Sequence, residues 1–286
     1  MNSYELPEAD NEHVFKSAIV ATLLSGVAQD VPKPKLKLLG GQPGSGKSRS
    51  LAPTAERDLA ASGRPMLIDA DQLRMHHPQW QEAILETDVT AAEKTHPDAR
   101  IWVGKACALG IEKRCNVLFD GTLASAQSTA RVIDQFSRAG YEIEVRILAI
   151  DARASWLGVL YRYEEKKRNR QPARMTPRQV HDDAFDGIPK TLAAIETDKR
   201  VGRIQIVACG GAVLYDNVAA SNEARSASEA LRVERIRERS KGEAEQYEED
   251  LRQLLKWACE RGIDVNSIEG YEQHVGRIKR SALRRM

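Results

Sequence analysis

The chain has 286 residues, 42% hydrophobic and 29% charged, an ordinary globular balance that excludes wholesale disorder and allows one large domain with an appendage, or two small ones. Its 43 basic and 41 acidic side chains give +2 at pH 7, so the molecule is not built around a polyanion and no nucleic-acid partner is expected. Cys107, Cys115, Cys209 and Cys259 stand far apart with no CxxC pair, which argues against a disulfide scaffold or zinc ribbon and predicts free thiols in a reducing compartment.

Residues 5–10 are acidic where a secretory signal would be basic and then apolar. The longest apolar stretch, 18–28, is broken by Thr22, Ser25 and Gly26 and is too short for a membrane span. A cytoplasmic protein without membrane attachment is expected. Val14, Ala18, Ala21 and Leu24 have helical spacing, and Pro32 and Pro34 end that helix. Short apolar runs at 36–39, 66–68, 116–119, 143–150 and 204–207 read as strands. Helical stretches at 79–86, 97–113, 127–139, 155–170 and 177–196 lie between them. Pro53 must kink or cap the helix that follows Gly46. The alternation predicts an α/β fold, a parallel sheet of about five strands with helices on both faces.

From about residue 221 the chain becomes highly charged with thin apolar stripes: Leu231, Val233 and Ile236, then Leu251, Leu254, Leu255 and Ala258. Residues 221–286 are therefore read as a helical C-terminal appendage to a domain at 1–220, with a partner-binding arm as the alternative. Lys279, Arg280, Arg284 and Arg285 form a basic tail.

Gly41-Gln42-Pro43-Gly44-Ser45-Gly46-Lys47-Ser48 satisfies the phosphate-loop pattern in full, directly after a strand and before a helix. Glycines let successive N–H groups turn toward phosphate oxygens, and the helix adds its positive end. Lys47 supplies a point charge for the β- and γ-phosphates, and the Ser48 hydroxyl can ligate Mg²⁺. ATP is the expected nucleotide, with GTP left open because no base-reading motif is present. Asp69 and Asp71 follow the second strand, where catalytic groups of open α/β sheets gather. Asp69 is read as a helix cap and Asp71 as the group that accepts a proton from an attacking hydroxyl. Asp120 ends the third apolar strand and either holds the metal or orients the loop. Seven basic residues between 162 and 178 read as a lid closing on the phosphoryl group, against the plainer reading of a solvated face.

These motifs resemble the zeta toxins, the kinases of epsilon/zeta and Pez toxin–antitoxin systems. The resemblance runs through the phosphate loop, Ile68-Asp69-Ala70-Asp71 with His77-Pro78, Phe119-Asp120-Gly121-Thr122, Tyr161-Arg162-Tyr163-Glu164, Ala173-Arg174-Met175-Thr176-Pro177, and His181-Asp182. It covers about residues 12–220. It implies an ATP- and Mg²⁺-dependent kinase that phosphorylates the 3′-hydroxyl of UDP-N-acetylglucosamine, and a separate antitoxin that blocks the nucleotide site. By motif position, Asp71 matches the general base, Lys47 the loop lysine, Arg162 and Arg174 the phosphate-binding arginines, and Thr122 a substrate-contacting threonine. Asp120 replaces the family's Glu. Gly104, Ala124 and Val132 stand where the family carries polar groups, and Arg74, Ser125 or Ser128 are candidates to replace them. The alternatives are a phosphotransferase with another hydroxyl acceptor (a different UDP-sugar, an antibiotic, a nucleoside or a polynucleotide end) and a non-catalytic nucleotide-dependent module.

Overall fold

The structure, a computed structural model, describes residues 4–88, 90–219 and 226–263. The basic tail at 279–285 lies outside the described residues. The chain begins with α1 (Glu8–Val14), a π-helical turn (Phe15–Ile19) and α2 (Val20–Leu24), which run on without a break. Their buried residues are Asn11, Phe15, Ile19 and Leu23; of the expected stripe, Val14 and Leu24 pack half-buried against the main core, and Ala21 is exposed. A spacing of four overshoots an α-helical turn by about 40° per step. The wider π turn absorbs that drift and keeps the three apolar side chains on one face.

Next come β1 (Lys35–Gly40), α3 (Lys47–Ser50), α4 (Ala52–Leu59), β2 (Met66–Asp69) and α5 (Ala70–Arg74). Pro53 stands in the first turn of α4, where its missing N–H costs nothing, so the helix after the loop breaks at Leu51 and restarts. There follow α6 (Trp80–Glu86), α7 (Ala91–Lys94), α8 (His96–Glu112), β3 (Val117–Asp120), α9 (Ala126–Arg138) and β4 (Glu142–Ala149). The remainder is α10 (Ala152–Arg168), α11 (Arg178–Glu196), β5 (Val201–Ala208), β6 (Val213–Asp216), α12 (Ala227–Ile236) and α13 (Lys241–Glu260).

The sheet order is β2-β3-β1-β4-β5-β6, with the first five strands parallel and β6 antiparallel to β5. The sixth strand, beyond the expected five, is a four-residue hairpin return whose residues Val213, Leu214 and Tyr215 are exposed or half-buried at the sheet edge. Alternate residues of the central strands feed two cores. Leu36, Leu38, Val145, Ile147, Ile204 and Ile206 pack with the first helical segment, α8, α9, α11 and α12. Leu39, Leu118, Leu148 and Val207 pack against Leu51, Ala55 and Leu59 around α4. Helices on both faces make these strands apolar on both sides. The exception is a buried polar row, Lys37, Arg146 and Gln205. Asp58 of α4 meets the Lys37 amine and the Arg146 guanidinium, each at 2.9 Å, and Arg146 Nε donates to Gln205 Oε1 at 2.8 Å.

Both C-terminal helices dock on this body. α12 buries Ala227, Ala230 and Leu231 in the main core. Val233 and Ile236, expected in its stripe, are exposed because their spacing from Leu231 does not follow that face. α13 buries Leu251, Leu254, Leu255 and Ala258 against Trp156, Leu157 and Leu160 of α10.

Candidate active site

The phosphate loop leaves β1 at the centre of the sheet. Gly44 and Gly46 have φ of +74° and +90°, in the left-handed region that side-chain-bearing residues avoid. A Cβ on Gly44 would collide with the Ser155 carbonyl, and one on Gly158 with the Gly44 carbonyl. The loop thus lies against α10 with backbone directly on backbone. Gln42 is fully buried beneath it and donates to the Ile150 carbonyl and the Ser155 hydroxyl, each at 3.1 Å. Ser155 lies 2.9 Å from His181 Nε2, and His181 Nδ1 lies 2.7 Å from Asp182 Oδ1. Ser155 and His181 are both fully buried, so this Ser-His-Asp sequence braces the loop and offers no nucleophile to solvent.

Lys47 Nζ donates to the Gly41 carbonyl at 3.0 Å and stands 3.8 Å from Asp120 Oδ1. Burial lowers the amine's pKa, against the pull of Asp120, Asp69 and Asp71. The Ser48 hydroxyl lies 3.4 Å from Asp120 Oδ2, and burial raises the Asp120 pKa. Asp69 caps α5 by accepting the Asp71 N–H at 2.8 Å. Its own carboxyl is pushed up to about 6 by burial and by the charge of Asp71. Burial also works to raise Asp71, but the guanidinium groups of Arg174, Arg74 and Arg162 outweigh it and hold that carboxyl below its usual range. Arg174 Nη2 lies 2.8 Å from Asp71 Oδ2, and Arg74 pairs with Oδ1.

These groups line one cleft of about 1570 Å³ above the carboxyl ends of the strands, together with Thr122 and Arg162. The seven basic residues expected in the lid divide. Arg162, Lys166 and Arg174 line the cleft, Arg170 is exposed outside it, and Lys167 pairs with Asp88 at 2.5 Å, Arg168 with Glu260 at 3.7 Å and Arg178 with Asp182 at 2.8 Å. Gly104, Ala124 and Val132 are not among the residues lining the cleft. Gly104 faces open space, the Ala124 carbonyl abuts Gly187, and Val132 packs against the main core. Ser125 caps α9 by accepting the Ser128 N–H, so of the candidate replacements only Arg74 reaches the cleft. Its position three residues after Asp71 on one helix face was a readable signal.

Sequence reasoning missed His96 at the start of α8 and Arg237, Arg239 and Tyr247 of the C-terminal region, all of which line the cleft. It also missed Arg235, whose Nη2 donates to Gln42 Oε1 at 3.2 Å across 193 residues, a separation at which no local pattern operates.

Fold and site define the class: a nucleotide-dependent phosphotransferase built on a phosphate-loop α/β scaffold. A family model of the zeta toxins matches residues 20–219, and the chain belongs to the zeta toxin family. It is similar to toxin PezT of Streptococcus pneumoniae, 28% identical over 206 residues that cover 71% of this chain and 80% of PezT. Toxin zeta of Enterococcus hirae is 26% identical over 189 residues, covering 66% of this chain and 65% of that protein. Among solved structures, a chain of the PezAT chromosomal toxin–antitoxin system of S. pneumoniae superposes with a TM-score of 0.74 at 24% identity, covering 88% of this chain and 98% of that one. A chain of the AvrRxo1-ORF1:-ORF2 complex superposes with a TM-score of 0.52 at 16% identity, covering 85% and 78%. At these identities the superpositions show the fold.

Proposed function

We propose that this protein is the toxin of a toxin–antitoxin pair and transfers the γ-phosphoryl group of ATP to the 3′-hydroxyl of UDP-N-acetylglucosamine in the cytoplasm. The observation that carries the reading is one cleft with the Lys47–Ser48 loop at its centre and an ionised Asp71 on the β2 side. Asp71, kept charged by its arginines, accepts the proton of the acceptor hydroxyl. Lys47, Arg162 and Arg174 neutralise charge as it spreads over the transferring group. Thr122 contacts the acceptor from the turn after β3.

The Ser48 hydroxyl and Asp120 carboxylate offer two hard oxygen donors on the same wall. Among the described residues no group of three or more His, Cys, Asp or Glu is arranged to hold a metal. One hydroxyl and one carboxylate, completed by substrate phosphates, suit Mg²⁺, so these residues fit the ion. When bound there, Mg²⁺ would neutralise phosphate charge. The likeness to a chain of the PezAT toxin–antitoxin system supports a separate antitoxin that covers the nucleotide site.

The test is incubation with ATP, Mg²⁺ and a panel of UDP-sugars, followed by mass spectrometry. One added phosphoryl group on UDP-N-acetylglucosamine is the expected product. Transfer only to another acceptor would overturn the substrate. Expression in a peptidoglycan-making bacterium should arrest growth with the wild-type chain and not with Asp71→Asn.

A further inference from the structure

The family match ends at residue 219, yet the wall of the cleft continues into α12 and α13. The order of the sheet gives that wall a role. Asp69, Asp71 and Asp120 stand at the ends of β2 and β3, on one side of the phosphate loop that follows β1. Asp151 and Cys209 stand beyond the ends of β4 and β5, on the other side, and both line the cleft. A nucleoside triphosphate lying on the loop with its γ-phosphate toward Asp71 must run its base toward β4 and β5. With strands about 4.8 Å apart, β5 is about 10 Å from β1, the reach of a nucleotide from its α-phosphate to its base.

We propose that the corner between α12 and α13 is the nucleobase subsite of the donor nucleotide, with Tyr247 and Arg239 as its recognising pair. The proposal rests on the nucleotide-binding reading above and adds where the base is held. The Arg239 guanidinium lies 4.1 Å from the centroid of the Tyr247 ring, and both side chains line the cleft. Leu157 and Tyr161 of α10 line it as well and supply apolar surface. Gln246 and Asp250, one turn apart on α13 and joined by a 2.8 Å hydrogen bond, offer acceptors to an exocyclic amino group. An aromatic plane, a flat cation and edge acceptors are the elements that bind a base.

The corner is built before any ligand arrives. Arg239 is pinned by Asp151 at 2.7 and 2.9 Å, and Asp151 itself caps α10. Arg237 bridges Glu234 at 2.7 Å and Glu243 at 2.5 Å. Ser240 and Glu243 close a reciprocal capping box that fixes the start of α13.

The test compares Mg²⁺-ATP with Mg²⁺-tripolyphosphate, which has phosphates and no base, by calorimetric titration of the full-length protein. Tyr247→Ala should weaken ATP by about tenfold or more, the usual worth of one stacking contact, and leave tripolyphosphate unchanged. Tyr247→Phe, which keeps the plane, should bind ATP as the wild type does. Tripolyphosphate binding also reports that the variant is folded. Equal weakening toward both probes would make Tyr247 a prop for the loop, and no change toward either would place the base elsewhere. Each result overturns the proposal. Wild-type protein that bound neither probe would remove the nucleotide reading itself, and the subsite with it.

Discussion

On the β1 side of the cleft, backbone meets backbone. Gly44 and Gly158 approach so closely that neither has room for a methyl group, and the buried Gln42 ties the loop to β4 and α10. On the β2 side the same cleft is shaped by long charged side chains, with Arg74 and Arg174 converging on the Asp71 carboxylate. The first arrangement is settled on folding and admits no substitution. The second consists of ion pairs on a half-exposed carboxylate, one from the buried Arg74 and one from the more accessible Arg174, and the latter is open to exchange with an incoming charged group. On the proposed function, phosphates would meet a rigid cradle, and the acceptor would meet side-chain charges that can exchange partners.

Breaking the rigid half should have the largest effect. Lys47→Ala should lower kcat/KM by roughly 10³–10⁴, because binding and transition-state neutralisation are lost together. Steady-state kinetics beside ATP titration check this, and wild-type turnover by the variant would remove the loop from the mechanism. In the charged half, Asp71→Asn should lower turnover by about 10³ while ATP affinity stays near that of the wild type. A parallel loss of affinity would make Asp71 a metal or structural residue instead.

A contrast within the basic segment sharpens the comparison further. Arg174→Ala should cost about 10² in kcat, since it meets charge that develops during transfer. Lys167→Ala, whose amine is engaged by Asp88, should stay within about twofold. Equal losses at both positions would favour a diffuse field over an arginine acting at a point.

The last effect concerns stability rather than rate. Asp69 titrates at about 6 when folded, above its ordinary 3.8, because burial and Asp71 disfavour its charge. Between those values the folded chain holds the extra proton, so this group's contribution to stability falls as pH rises from about 4 to about 6. Asp69→Asn removes that cost and still caps α5. It should therefore stabilise the unliganded protein by about 2–3 kcal/mol at pH 8, with the gain fading by pH 4. Denaturant titration at the two pH values decides it, and a gain independent of pH would refute the titration.

What the sequence disclosed follows the same division. The phosphate loop was legible because glycine, lysine and serine at fixed spacing describe a backbone path, and β1 and α3 border it as expected. Asp69 and Asp71 were separable into cap and cleft residue because a capping position has a local signature. The stripe of the first helix was legible only at its edges, Val14 and Leu24, because the π turn that brings Phe15, Ile19 and Leu23 onto one face has no signature in α-helical spacing. β6 is no shorter than β2 or β3, but it is an antiparallel return at the sheet edge, outside the strand–helix alternation that revealed the other five. The bonds from Arg235 to Gln42 and from Arg239 to Asp151 join residues 193 and 88 positions apart, so only the folded chain displays them. Gly104, Ala124 and Val132 looked like changes to an acceptor pocket, and tertiary packing removes all three from the cleft lining.

The contact between Gly44 and Gly158 also decides when each arginine takes part. Arg162 lies one turn beyond Gly158 on the same face of α10, so the helix that backs the loop also carries this guanidinium. Folding therefore fixes where the stem of Arg162 stands relative to the loop, while its exposed side chain reaches into the cleft. Arg174 hangs instead from residues 169–177, a stretch that is neither helix nor strand and is tied down by the bond from the Met175 N–H to the Asp88 carbonyl at 3.0 Å. Two side chains that read alike in sequence thus keep different time. In the proposed transfer, Arg162 would act from a helix already locked to the loop, and Arg174 would first leave Asp71, so that freeing the base and bringing up the second positive charge would be one event.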